Sequence, residues 1–319
     1  MSNKNSIISI GNLKLRAEIL RKIRDFFHTR NIMEVETPIL CKTPNIDANI
    51  EAMSFSLDGL ELFLQTSPEP AMKKLLASGT GSIFQISRAF RLGESGRLHN
   101  MEFTIIEWYR IEMTHIQLME EVNDLVDQIL HCGKAKKKTY SQAMLEYADI
   151  NINMPAEQLF SLILNKGFSP PENLNPYDKN ECLDFIFTQK IQRELIKEGP
   201  VFIFDYPSSQ AAFARIDATG HYAHRFELYI NGIELCNGFY ELIDPDEYLR
   251  RYKEINANRL LQGKTALPID IQLINALKNG FPVCSGVALG FDRLVMLAVG
   301  ATSIEDVMAL PLKLPNPCF

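Results

Sequence analysis

Strand-like runs that join one another directly, with helical runs set apart from them, predict an α+β chain: a mainly antiparallel sheet flanked by helices. Three features carry that expectation. Two strand-like runs, IFQISRAFR and FTIIEWYRIE, are joined by the polar LGESGRLHNME and read as one long hairpin. Two more, RFELYING and IELCNGFYEL, meet at Asn231-Gly232, the strongest short hairpin signal. Strand-like text thus lies on both sides of a helical stretch, so one sheet completed from both halves of the chain is expected.

Taken in order, residues 13–31 place Leu13, Leu15, Ile19, Leu20, Ile23, Phe26 and Phe27 near helical spacing with basic residues between them, which predicts an amphipathic helix. In NIMEVETPIL an extended segment is broken at Pro38, a residue confined to edge strands and strand ends. SFSL, Gly59 and LFLQT read as strands, PAMKKLLAS as a short helix, and then comes the long hairpin. THIQLMEEVNDLVDQILHCG is a second amphipathic helix; the KAKKK after it reads as a solvated turn rather than a polyanion site. Residues 139–200 carry short helical patterns, the loop FSPPENLNPYD and one long helix DFIFTQKIQRELIKE. PVFIFDYP adds a strand, DEYLRRYKEINANRLLQ a helix, and PVCSGVALGFDRLVMLAVG a strand, turn and helix, followed by a short helix capped at Thr302 or Ser303.

A chain of 319 residues, 46% of them hydrophobic, can build one large core or two modest ones. Its 33 Lys and Arg against 39 Asp and Glu leave a formal charge of −6, which disfavours a surface that attracts nucleic acid throughout but leaves a local basic site open. No run approaches the about 18 apolar residues of a membrane helix. The N-terminal residues lack a secretory apolar region, so a cytoplasmic protein is expected. Cys41, Cys132, Cys182, Cys236, Cys284 and Cys318 form no CxxC pair and read as free thiols.

Several familiar motifs fail. Lys264 and Thr265 lack the upstream glycine of a phosphate loop, and no GxSxG elbow is present. His221 and His224 have no third ligand nearby in sequence, so they do not read as a metal site. Three constellations remain. On the long hairpin, residues two apart share a face, so Phe103, Glu107 and Tyr109 point one way and Arg91 can face them from the partner strand, with Arg88, Glu94, Arg97, His99, Asn100 and Glu102 nearby. The Asn231-Gly232 hairpin would bring Glu227 and Glu234 close enough to share a divalent cation, with Glu241 in the same region. In GVALGFDR, a strand meets a helix at Gly290 and Arg293 falls in the first helical turn, well placed for a phosphate.

Together these residues resemble the three signature motifs of the class II aminoacyl-tRNA synthetases, and most closely the lysine-type catalytic core. EVETPIL resembles motif 1, the dimer-forming element; FR with RLHNMEFTIIEWY resembles motif 2; GVALGFDRLVML resembles motif 3; and NGFYEL is similar to a segment of the lysine branch. The resemblance implies the class II catalytic fold, with six or seven strands, as a homodimer using ATP and Mg2+. It further implies that Arg91 bridges the substrate carboxylate and the α-phosphate, that Phe103 stacks on adenine, and that His99 and Arg293 hold the outer phosphates. Glu94, Asn100 and Glu234 would join the ATP site, and Glu227 and Glu234 would bind magnesium. Glu69 would take one substrate amino group, and Glu107, Tyr109, Asn237 and Glu241 would surround the distal ammonium.

Two departures refine this. The acid expected two residues after Arg91 is displaced, Gly93 standing there and Glu94 next to it. Only about a dozen residues precede the helix that leads into motif 1, where lysyl-tRNA synthetases carry an anticodon-reading OB-fold. Residues 1–319 therefore read as a single class II synthetase-like catalytic domain, with a helical insertion at about 134–199 and no anticodon-binding domain. Such a stand-alone core resembles the elongation factor P (R)-beta-lysine ligases, which join (R)-beta-lysine to a lysine of that translation factor. By the same resemblance Ser67 replaces an alanine, and Ala288 a glycine, of lysyl-tRNA synthetases, and these two positions would select the lysine isomer. The acidic balance argues against tRNA as partner, and the presence of Arg91, Phe103, Glu227, Glu234 and Arg293 argues against a non-catalytic regulatory paralogue.

Overall fold

The computed structural model describes residues 8–312. Helix α1 (Ile10–His28) starts at Ser9, whose side chain accepts from the Asn12 amide, and buries Ile19, Ile23, Phe26 and Phe27 as one apolar stripe. Each such side chain stabilises the fold by about 1.5–3 kcal/mol. Around Pro38 the chain is extended but scarcely paired, leaving only β1 (Met33–Glu34) and β2 (Leu40–Cys41). Strands β3 (Ser54–Leu57) and β4 (Leu60–Leu64) turn at Asp58 and Gly59, both at positive φ. Helix α2 (Glu69–Ala77) leads to the long hairpin of β5 (Ile83–Phe90) and β6 (Glu102–Ile111). Helix α3 (His115–Leu130) opens on a capping box between Thr114 and Gln117.

The basic run after α3 corrects one expectation. It is not a solvated turn but supplies strand β7 (Lys136–Thr139), which lies parallel to β8 (Val201–Pro207) at the edge of the sheet. Lysines there keep a further strand from pairing, and Lys136, Lys137 and Lys138 each find a carboxylate in Glu198, Glu120 and Glu146. Between β7 and β8 lie α4 (Tyr140–Ala148), α5 (Ala156–Asn165), α6 (Lys179–Ile186) and α7 (Gln192–Leu195). The single long helix expected over the last two is divided by a π-helical turn at Phe187–Ile191. These helices share a core of their own, in which Leu159, Leu183 and Ile186 pack with Ile203 and Tyr206 of β8.

Strands β9 (Tyr222–Ile230) and β10 (Ile233–Tyr240) meet at Asn231 and Gly232, whose φ values of 52° and 72° are those the two-residue turn demands. Helices α8 (Pro245–Leu261) and α9 (Ile271–Lys278), strand β11 (Cys284–Gly290) and helix α10 (Phe291–Val299) follow, then a 3-10 turn, Ile304–Val307, capped by Ser303.

The main sheet has eight strands, ordered β1-β5-β6-β11-β10-β9-β8-β7, rather than six or seven. Its six central strands are antiparallel, and the two extra ones are the short parallel edges. The β6–β11 pairing joins the two halves of the chain. Strands β2, β4 and β3 form a separate small sheet. One face of the main sheet is covered by α1, α3 and α10, whose apolar residues enclose Trp108, Ile106 and Leu289. On the other face α2, α8 and α9 pack with Ile83 and Tyr109. Among the described residues the five cysteines are free, Cys318 lying outside them, and no helix is long and apolar enough to cross a membrane.

Candidate active site

Alternation along β6 turns Phe103, Glu107 and Tyr109 to the face shared with α2, and the strand register extends that face across the sheet. Glu107 stands between Gln85 on β5 and Ala288 on β11; Ala288 faces Asn237 on β10, and Asn237 faces Glu227 on β9. The next rung runs Ile83, Tyr109, Gly286, Phe239, Arg225. A Cβ at Gly286 would come 2.4 Å from the Tyr109 ring and 2.5 Å from Glu241 Oε1, so only glycine lets both groups lie over this rung. Strict alternation would turn Glu234 away from Asn237. A bulge between Glu234 and Cys236 reverses the parity, and Glu234, paired with Tyr229, shares the face of Glu227.

These rungs floor a cavity of about 320 Å³, and every residue to which the resemblance gives a role lines it, while Arg88, Arg97 and Glu102 of the hairpin do not. One end is acidic. Glu69 opens α2, and Lys73, one turn on, lies fully buried with Nζ 2.6 Å from Glu69 Oε1 and 2.8 Å from Glu241 Oε2. Tyr109 donates its hydroxyl to Glu107 Oε1 at 2.6 Å, while Glu107 Oε2 is buried with no partner. Asn45 donates to Glu69 Oε2 at 2.9 Å and to Ser67 Oγ at 3.3 Å, and the Ser67 hydroxyl also accepts from the Glu69 amide. Burial, then the Glu69 charge, push the Glu107 carboxyl up to about 8. Burial also lifts Glu241 to about 7, against the pull of Lys73. Burial alone would lower the Lys73 ammonium, but Glu241 and Glu69 raise it well above its ordinary value.

The other end is cationic. Arg293, in the first turn of α10, donates to the carbonyls of Glu234 at 2.7 Å and Leu98 at 3.4 Å and lies 2.7 Å from His99 Nε2. Burial and then the Arg293 charge lower the His99 imidazole, so the ring is neutral and accepts from the guanidinium. Arg91 donates to the Thr66 carbonyl, and its guanidinium carbon lies 4.9 Å from the centre of the Phe103 ring. Glu94, despite its displacement in the sequence, still comes 3.6 Å from Arg91 Nη1. Asn100 is turned inward, donating to the Glu102 carbonyl. Glu227 accepts from Tyr206, Tyr229 and Arg225, which leaves about one of a carboxylate's four acceptor positions free. Burial and the Glu227 charge lift Glu234 to about 7, the mark of a carboxylate pair short of positive charge.

Residues 8–314 match the profile of the tRNA synthetases class II (D, K and N). The chain belongs to this family. Its similar relatives include an elongation factor P–(R)-beta-lysine ligase of Yersinia enterocolitica, 43% identical over 311 residues and covering 95% of each chain. The ligase of the same name from Vibrio parahaemolyticus is 40% identical over 324 residues, covering 98% of this chain and 99% of its own.

As a class II synthetase the chain uses ATP and has the class II catalytic fold, a mostly antiparallel sheet with flanking helices. Three contributors to its site were missed in the sequence reading. Lys73 neutralises the acid end, yet in SPEPAMK it reads as a surface partner of Glu69 at the i,i+4 spacing of a helix. Arg225, two residues before Glu227 and so on its face, also donates to Asn237 Oδ1 at 3.3 Å; strand alternation was the signal for it. Asp292, next to Arg293, accepts from the Thr104 amide at 2.6 Å and pairs with Arg16 at 2.6 Å, fastening α10 to β6 and α1.

Proposed function

We propose that this chain activates (R)-beta-lysine with ATP and transfers it to a lysine side chain of elongation factor P in the cytoplasm. The relatives' names supply the acceptor and the substrate. The observation that carries the choice of a diamino acid is the acid end: three buried or half-buried carboxylates, one internal lysine, and the unpartnered Glu107 Oε2. An ammonium there gains charge-assisted hydrogen bonds, whereas an apolar side chain would leave buried acids unpaired.

Arg91, between the two ends, holds the substrate carboxylate and the α-phosphate. Phe103 supports the adenine, and His99 orients Arg293 toward the outer phosphates, with Glu94 and Asn100 shaping the same wall. The substrate carboxylate oxygen attacks the α-phosphorus, and the bond to the bridging oxygen breaks to release pyrophosphate. Arg91 and Arg293 stabilise charge growing on the phosphates. The acceptor amine then attacks the acyl carbon, forming the amide and releasing AMP, and confinement of the two partners supplies much of the rate. Glu227 and Glu234 would hold Mg2+, which neutralises phosphate charge when bound; the raised Glu234 carboxyl and the free position on Glu227 fit that cation.

Residues 1–319 form one catalytic domain in this reading, with the helices at about 134–199 as an insertion. The exposed apolar side chains of Met33, Ile39 and Leu40 around Pro38, with Phe55 and Leu57 on β3, support a homodimer through motif 1. The test is incubation with ATP, Mg2+ and labelled (R)-beta-lysine or L-alpha-lysine, with either elongation factor P or tRNA. Label in an amide on the factor, with (R)-beta-lysine preferred, is the expected result. Label on tRNA alone would assign the chain to aminoacylation instead.

A further inference from the structure

Behind the catalytic face, a second group of side chains converges that the reaction does not use. Strand β9 turns Arg225 and Glu227 to the cavity and therefore His224 to the opposite face, alongside the core residues Phe226 and Leu228. His115, the first residue of α3, packs over it: the two imidazoles are stacked with centres 4.6 Å apart. Asp205 completes the group from β8. It sits in a bulge at a positive φ of 54°, between Phe204 and Tyr206 in the pairing with β9. His115 Nε2 lies 3.7 Å, and His224 Nδ1 3.9 Å, from Asp205 Oδ1, and the three ligand atoms all lie within 4.8 Å of one another.

These separations are too long for hydrogen bonds. The two nitrogen–oxygen distances exceed by about half an ångström the about 3.3 Å between neighbouring ligand atoms of a tetrahedral zinc ion with bonds of about 2.0–2.1 Å, so the three side chains would close slightly on a bound ion. His224 Nδ1 is buried without a hydrogen-bond partner, and His115, only 7% exposed, leaves its other ring nitrogen, Nδ1, unpartnered as well. Two neutral imidazoles and a carboxylate are the donor set of three-ligand zinc sites, in which water or another ligand takes the fourth position. Asp205 and His224 are each nearly 30% exposed, so that position can be reached from solvent. Tyr240 walls one side, its ring centre 6.3 Å from that of His115 and 6.1 Å from that of His224, with the Arg215 guanidinium 4.1 Å over the Tyr240 ring.

We infer that His115, Asp205 and His224 bind a zinc-type divalent cation that fastens the start of α3 to β8 and β9. The His221–His224 pair is not the unit of this site. His224 instead joins two residues remote from it in sequence, which a local spacing rule cannot find. The cation would brace the strand that, one residue on, begins the catalytic row of Arg225 and Glu227.

The test is titration of tag-free, chelator-stripped full-length protein with Co2+ in the presence of excess Mg2+, which occupies Glu227 and Glu234. One equivalent of Co2+ with intense tetrahedral visible bands is expected, displaced by Zn2+, with a rise in Tm on loading. His224→Asn and Asp205→Asn should each weaken Co2+ binding by at least about 100-fold, since even residues that merely orient a metal ligand cost about 10- to 100-fold. Glu234→Gln should leave the bands intact. Absence of stoichiometric uptake by wild type overturns the assignment even where a variant misfolds. Bands that survive in both His224→Asn and Asp205→Asn, or that vanish in Glu234→Gln, also overturn it.

Discussion

The two ends of the cavity hold their cations in opposite ways. At the acid end Lys73 is gripped by two carboxylates, Glu69 and Glu241, so its charge is consumed inside the protein. At the phosphate end the hydrogen bonds that orient Arg91 and Arg293 go mainly to carbonyl oxygens, of Thr66, Glu234 and Leu98, and to a neutral imidazole. A carbonyl positions a guanidinium without cancelling it, so most of that charge remains for a polyanion. The difference teaches how one small cavity could serve both a polyphosphate and a diamine, as the proposed reaction requires. The protein leaves positive charge unspent at one end, and at the other it keeps one more carboxylate, Glu107, than its lysine can satisfy.

The largest expected effect strikes the unspent charge. Arg91→Ala and Arg293→Ala should each slow adenylation by about 100-fold or more, because each removes a donor aimed at charge that grows in the transition state. Amino-acid-dependent pyrophosphate exchange measures it. Arg293→Lys should recover little, since one ammonium cannot reach the Glu234 and Leu98 carbonyls and His99 together while facing a phosphate. Near-normal exchange in Arg91→Ala would remove the contrast between the two ends.

A smaller effect belongs to the surplus acid. Without substrate the Glu107 carboxyl is raised to about 8, so at neutral pH it is mostly protonated, and an incoming ammonium favours its ionised form. The sign follows: substrate affinity should improve as pH rises toward 8, by no more than about tenfold per pH unit, with proton release on binding. Glu107→Gln should raise KM by about 10- to 100-fold, the worth of a hydrogen bond to a charged group, and flatten that slope. Calorimetry in buffers of different ionisation enthalpy reports the proton; a wild-type KM that does not change between pH 6 and 8 would show Glu107 already ionised in the free protein.

Replacing Glu227 and Glu234 together by Gln should raise the Mg2+ concentration needed for half-maximal exchange by about tenfold or more, as two hard oxygen ligands are lost. Thermal unfolding should show whether the fold survives, because Glu227 also anchors Tyr206, Tyr229 and Arg225. An unchanged Mg2+ requirement would make the pair structural.

Much of this site was legible because strand alternation and a turn dipeptide are local rules. Phe103, Glu107 and Tyr109 fall on one face by counting in twos, and Asn231-Gly232 produced the turn it signals. What escaped depends on events that leave no local mark. The bulge between Glu234 and Cys236 shifts strand parity by one residue and brings Asn237 onto the face of Glu234, and the irregularity at Asp205 does the same for Tyr206. The edge strands escaped for another reason: two residues at β1 and a lysine run at β7 carry too little apolar pattern to read as strand. Lys73 carries no local mark of its role, because its second partner, Glu241, is brought to it only by the packing of α2 over the sheet.

The smallest expected effect separates the two positions proposed to choose the lysine isomer, and the structure ranks them. Ala288 sits on the floor between Glu107 and Asn237, so its methyl occupies space that a substrate amino group would otherwise enter. Removing it in Ala288→Gly should shift the kcat/KM ratio toward L-alpha-lysine by about tenfold, in keeping with the 1–3 kcal/mol that one such group commands in a pocket. The Ser67 hydroxyl is more committed, since it already accepts from the Glu69 amide and from Asn45. Ser67→Ala therefore acts mainly by loosening Glu69 and Asn45 and should change the ratio by only about threefold, within the 0.5–1.5 kcal/mol of an ordinary hydrogen bond. Adenylation kinetics with both isomers for each variant and the pair supply the comparison. A larger shift from Ser67→Ala than from Ala288→Gly would mean that the acid end selects its substrate through the α2 loop rather than through the floor of the sheet.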